Sequence, residues 1–148
     1  MFLLRALLMS VPLALASGAA CAVDYVSVEE SAAVLYDAPS QKAKKLFVLS
    51  RYTPLEIIVS VEGWLKVRDS SGALAWVEKK SVGSKRYVMV NVPQAAVRQQ
   101  PDEKAPTVFQ AKQQVALEWL EEADGGWLKV RHADGETGYL RFSEVWGH

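Results

Sequence analysis

Beyond the first two dozen positions, hydrophobic residues fall at alternate places in short runs. Leu55, Ile57, Val59 and Val61 share one parity across Leu55-Glu56-Ile57-Ile58-Val59-Ser60-Val61, and β-branched residues dominate. That pattern predicts a strand with those four side chains on its core face. Trp64 to Arg68 reads as the next strand, with Leu65 and Val67 on the core face and Trp64, Lys66 and Arg68 on the other. A turn at Asp69-Ser70-Ser71-Gly72 leads to a further strand over Leu74–Val77. Pro54 suits a strand start, where its missing N–H costs little. After the N-terminal segment no helical period lasts more than a turn or two.

This pattern is written twice. Gly63-Trp64-Leu65-Lys66-Val67-Arg68 returns letter for letter as Gly126-Trp127-Leu128-Lys129-Val130-Arg131. At an offset of 62, Tyr25/Tyr87, Val28/Val90, Ala33/Ala95, Pro39/Pro101, Phe47/Phe109 and Leu55/Leu117 also match. After the hexapeptide the offset is 63, as in Gly72/Gly135 and Val82/Val145, so one residue has entered the second copy within Glu121–Gly125. A charged, glycine-ending stretch that accepts an insertion is a surface loop. The division falls at Gly83-Ser84, giving units at 23–83 and 84–148. Units of this size with short strands and tight turns predict an all-β fold of two consecutive small antiparallel barrels, since closure removes exposed edges. Each alone buries only about 60% of its surface, so the two are expected to pack on one another.

At the N-terminus, Arg5 precedes an apolar run from Ala6 to Ala16 and the small residues Ser17 to Ala22. This predicts a signal peptide over 1–22 and an exported, periplasmic or extracellular protein. Pro12 and the short run argue against a membrane span. Cys21 raises the alternative of a lipid anchor, but Gly18-Ala19-Ala20-Cys21 lacks the large aliphatic residue that precedes a lipidated cysteine. Cleavage after Ala22 removes the chain's single cysteine, and with it disulfides, thiol nucleophiles and thiolate metal sites. Arg5 leaves too, so 16 basic residues face 17 acidic ones, a balance that recruits neither nucleic acid nor an anionic membrane.

The repeated residues resemble the bacterial SH3 (SH3b) domains, which occur in tandem in exported bacterial proteins. The second copy carries Val97-Arg98-Gln99-Gln100-Pro101, then Gly-Trp-x-Lys-Val-Arg, then Asp134-Gly135-Glu136-Thr137-Gly138-Tyr139-Leu140. The first departs with Leu35-Tyr36 for Val-Arg and Ala75 for the second glycine of the hairpin. The resemblance implies SH3-like barrels whose tryptophan and hairpin aromatic flank a ligand groove: Tyr36, Trp64 and Trp76 on the first, Arg98, Trp127 and Tyr139 on the second. Trp119, in the register of Ile57, is expected in the core, and Trp146 at a barrel end. Eukaryotic SH3 grooves add a Pro and a Tyr after the hairpin; Glu78, Ser81, Arg141 and Glu144 stand there instead, which argues against polyproline recognition.

Such modules are often joined to a papain-like peptidase, and the chain ends at His148 just after the second barrel. His132 and His148 are its only histidines, and neither recurs in the first copy. No phosphate loop, zinc spacing or nucleophile elbow is present, so no catalytic residue, metal or cofactor is expected. The expected role is a non-catalytic binding module for a cell-envelope component, with peptidoglycan or its stem peptides implied by the resemblance. The alternative is a periplasmic protein–protein adaptor docking an enzyme or subunit through the same aromatic faces.

Overall fold

The computed structural model describes residues 22–148; the expected signal segment up to Cys21 lies outside the described residues. The first unit runs β1 (Tyr25–Val28), β2 (Ala32–Tyr36), β3 (Lys45–Ser50), β4 (Pro54–Val61), β5 (Trp64–Arg68) and β6 (Leu74–Glu78), then a 3-10 turn (Lys79–Ser81) and β7 (Val82–Gly83). The second repeats it as β8 (Tyr87–Val90), β9 (Gln94–Arg98), β10 (Thr107–Lys112), β11 (Ala116–Ala123), β12 (Trp127–Arg131), β13 (Thr137–Arg141), a 3-10 turn (Phe142–Glu144) and β14 (Val145–Trp146). Each unit is one antiparallel sheet, ordered β3-β2-β6-β5-β4-β1-β7 and β10-β9-β13-β12-β11-β8-β14.

Val28, Leu35, Leu55, Val67 and Val77 come from five strands of the first sheet and form one cluster, each at most 1% exposed. Five strands can share a core only if the sheet curls round it, which makes the unit a barrel. The second core uses the equivalent positions Val90, Val97, Leu117, Val130 and Leu140, all at 0%. The extra residue of the second copy falls in the hairpin loop Asp124-Gly125-Gly126, against Glu62-Gly63 in the first. Both loops turn on glycines at positive φ, 75° at Gly63 and 78° and 81° at Gly125 and Gly126.

The strict alternation read along β4 does not survive. Between Ile57 and Val59 the β4–β5 register slips, pairing Ile57 with Val67 but Val59 with Lys66 and Val61 with Trp64. A bulge of one residue moves everything beyond it to the other face. Val59 and Val61, expected in the core, are therefore 42% and 39% exposed on the face of Trp64 and Lys66. β11 bulges at the equivalent place, between Trp119 and Glu121, where Glu121 and Ala123 take those outer positions.

The barrels meet along β1, the β3–β4 turn, β8 and β14. Arg86, in the short connection after β7, lies 5.0 Å from the Tyr25 ring and 4.5 Å from the Trp119 ring, and donates from Nη2 to the Gly147 carbonyl at 2.8 Å. Trp146 does not simply close its own barrel: it stands edge-on to Tyr25 of the first, at 5.5 Å. Tyr52 stacks on Tyr87 at 4.6 Å and 23°. Trp119, expected in the core, is half-buried at its margin, where it meets the ring of Phe142.

Candidate functional site

On the first barrel the structure brings Tyr36, Trp64 and Trp76 to one face. Tyr36 ends β2 and pairs across the sheet with Trp76 in β6, which also faces Lys66 in β5. Trp64 opens β5 immediately after Gly63 and reaches Tyr36 edge-on, with ring centroids 5.4 Å apart and planes at 84°. Tyr36 is thereby buried, while Trp64 and Trp76 are half-buried. Val61 lies directly across from Trp64, Val59 from Lys66, and Leu74 from Arg68. The bulge in β4 thus extends an aromatic face into an apolar one. At its rim Glu78 accepts from Gln41 Nε2 at 3.2 Å and pairs with Lys80 at 3.4 Å.

The same positions on the second barrel make a polar site. Trp127 is only 5% exposed, because the Arg141 guanidinium covers its ring at 4.4 Å. Arg141 is itself held, donating from Nη2 to Glu103 Oε1 at 2.7 Å and from Nη1 to the Gly125 carbonyl at 3.1 Å, while its backbone N–H donates to Glu144 Oε2 at 3.1 Å. Arg98 stands where Tyr36 stands in the first barrel and donates to the Ala105 carbonyl at 3.0 Å. It pairs across β9–β13 with Tyr139, whose ring lies 5.8 Å from the Lys129 ammonium. A pocket of about 290 Å³ opens between Arg98, Glu103, Trp127, Arg141 and Glu144.

The rim pair occupies matching repeat positions in both barrels, Gln41/Glu103 and Glu78/Arg141, with the acid moved from one member to the other. Position 78/141 was visible in the sequence as a charge reversal, but its role over the tryptophan was not, since the loop residue that meets it is some 38 residues away. Val59 and Val61 were missed as surface residues because a bulge leaves no mark on hydrophobic periodicity.

The family model for "Bacterial SH3 domain" matches residues 29–83 and again 91–147, more than half of the chain.

The chain belongs to the bacterial SH3 domain family.

Solved structures similar to these tandem SH3 domains include NlpC1 and NlpC2 from Trichomonas vaginalis, at 15% and 12% identity, covering 88% and 84% of this chain and 48% of each of those, both with a TM-score of 0.39. An NlpC/P60 family protein from Bacillus cereus is 16% identical over 83% of this chain and 56% of its own, also with a TM-score of 0.39. The chain therefore spans about half the length of these proteins. Comparison with curated proteins gave no match.

The second glycine of the SH3 hairpin has a steric reason here. A β-carbon on Gly138 would lie 2.6 Å from Val97 Cγ1 and 2.7 Å from the Arg98 carbonyl oxygen. The first SH3 domain holds Ala75 there, buried at 2% exposure. Among the other titratable groups, His132 Nδ1 lies 3.1 Å from Asp134 Oδ1 in the turn before β13. The Glu136 backbone N–H, donating to Asp134 at 2.9 Å, is the main reason that carboxyl titrates below its usual range, with His132 adding to it. Among the described residues no cluster of three His, Cys, Asp or Glu side chains could hold a metal ion, and no helix is long and apolar enough to cross a membrane.

Proposed function

We propose that this protein is an exported, non-catalytic binding module of the cell envelope that holds peptidoglycan or its stem peptides on the aromatic face of its first SH3 domain. The observation that carries this reading is the Tyr36–Trp64 pair beside Trp76, continued by Val59, Val61 and Leu74, all on one sheet face. Rings fixed by their own neighbours give up little conformational freedom on binding and present large contact areas. The second domain contributes a pocket of mixed charge, with Arg98 and Arg141 beside Glu103 and Glu144, suited to polar groups of the same polymer. Two unlike sites on one body add through effective concentration when the ligand repeats.

The test is co-sedimentation with purified peptidoglycan sacculi, comparing the parent with a Trp64→Ala/Trp76→Ala variant whose fold is verified by circular dichroism. Pelleting of the parent and not of the folded variant supports wall binding through this face; a parent that stays in the supernatant overturns it. A second reading, a periplasmic adaptor for another protein, is favoured by one feature. The aliphatic row Val59, Val61 and Leu74, each between 39% and 45% exposed, resembles the apolar centre of a protein interface more than a sugar platform. Its mark is a single protein that co-purifies with the parent and is lost on Val59→Ser/Val61→Ser substitution.

A further inference from the structure

The junction between the two domains contains a cavity that neither groove uses. It measures about 300 Å³ and is walled by Ser27 in β1 and Glu29 just after it, Arg51 and Tyr52 in the β3–β4 turn, and Lys85 and Tyr87 of the second domain. Its base is the Tyr52–Tyr87 stack, one ring from each domain. Arg51 lies 5.1 Å from the Tyr52 ring and Lys85 5.8 Å from that of Tyr87. A second opening of about 440 Å³ adjoins it through Arg51 and Tyr52.

Three observations bear on what could fill it. Arg51 and Glu29, of opposite charge, line the same cavity yet form no ion pair with each other or with any other group among the described residues. Lys85, by contrast, is already engaged with Glu118 at 3.3 Å. Ser27, only 2% exposed, has an Oγ without a hydrogen-bond partner among the described residues, and such an orphan hydroxyl calls for a physical reason. The second domain does not repeat the set: Gln113, Gln114 and Met89 take the places of Arg51, Tyr52 and Ser27. Tyr52 shares its positive φ with Gln114, 73° against 68°, so the backbone belongs to the turn and the tyrosine is a side-chain choice.

The geometry points to a binding site at the domain junction for a short zwitterionic peptide, its carboxylate on Arg51, its ammonium on Glu29 and its side chains against the tyrosine stack. Two exposed opposite charges, neither paired with another side chain among the described residues, flank an apolar base and match a ligand that carries both charges a few bonds apart. A cavity of this size lies at the small end of ligand sites and holds a dipeptide. The site shares no residue with the aromatic face, so it stands or falls separately from the wall-binding reading.

The experiment is a titration of the ¹⁵N-labelled protein with alanyl-alanine in its L,L and D,D forms, followed through backbone amide shifts. Saturable shifts are expected at Ser27–Glu29, Arg51–Thr53 and Lys85–Tyr87, with the millimolar affinity usual for about eleven heavy atoms. Blocking the carboxylate as an amide, or Arg51→Met, weakens binding about tenfold, and N-acetylation or Glu29→Gln does the same. Both substituted residues are exposed, so the fold is retained, and Trp64→Ala leaves the titration unchanged. Preference for the D,D form identifies a free peptide of D-amino acids as the source, and preference for L,L an ordinary peptide. Absence of saturable shifts at these amides, equal binding of the blocked forms, or shifts confined to the Trp64 face overturns the site.

Discussion

The two SH3 domains fill the same interior positions with aliphatic side chains and differ on their outer faces. Leu55 and Leu117 sit at 0% exposure in matching places, as do Val67 and Val130, and both sheets bulge after the same strand position. Outside, Val59 answers to Glu121, Leu74 to Thr137, Tyr36 to Arg98, and Glu78 to Arg141. Glu121 even finds Lys129 across the strand at 3.8 Å, where the first domain pairs Val59 with Lys66. A barrel of this size needs nearly every interior position to close, and that need ends at the surface. The difference between the copies therefore separates what the fold requires from what each domain presents to a partner.

The largest effects should come from buried side chains, first among them those of the shared interior. Leu55→Ala and Leu117→Ala each remove a fully buried side chain and are expected to cost about 2–5 kcal/mol. Chemical denaturation followed by tryptophan fluorescence reads both. The Arg86 bridge, the Trp146–Tyr25 contact and the Tyr52–Tyr87 stack tie the domains together, so either substitution should shift one common transition. Two separated transitions would mean that the junction couples the domains only weakly.

The tryptophans break the comparison most directly. Trp127→Ala removes a ring that is 5% exposed and is expected to destabilise by about 3–5 kcal/mol. Trp64→Ala, at a half-buried ring, should cost clearly less and act instead on ligand binding. Equal losses of stability would mean that both rings serve their own barrels. A smaller asymmetry follows from the hairpin. Gly138→Ala forces a β-carbon onto the Arg98 carbonyl and should destabilise the second domain by about 1–3 kcal/mol. In the first, Ala75→Gly removes a buried methyl group as well as adding backbone freedom, and should cost about 1–2 kcal/mol.

Which parts of this were legible beforehand follows from the kind of signal each leaves. The duplicated hexapeptide and the period-two runs were enough for two small barrels, because core alternation is a local property of the chain. The grouping of Tyr36 with Trp64 and Trp76 came through the resemblance, and the structure places those three on one face. The burial of Trp127 under Arg141 was not legible, since it depends on Glu103 in a distant loop holding the guanidinium down. Nor was the junction: Tyr25 and Tyr87 match as repeat partners, yet one meets Trp146 and Arg86 and the other Tyr52. A repeat shows that two units are alike and is silent on how they touch.

The smallest expected effect probes that contact through pH. Burial at the junction raises the Tyr25 hydroxyl above its ordinary pKa of 10.0; the Glu56 carboxylate adds to this, while the Arg86 and Arg68 guanidiniums pull the other way. The folded protein thus holds the phenolic proton more tightly than the unfolded chain does. The stability linked to it is fully present below the unfolded value and is lost as pH rises through the folded one. Thermal unfolding midpoints measured from pH 8 to pH 11 should fall less steeply for Tyr25→Phe than for the parent, because phenylalanine cannot ionise beside Trp146. Parallel curves for the two proteins would mean that Tyr25 titrates as freely in the folded protein as in the unfolded chain, and that the aromatic junction is open to water.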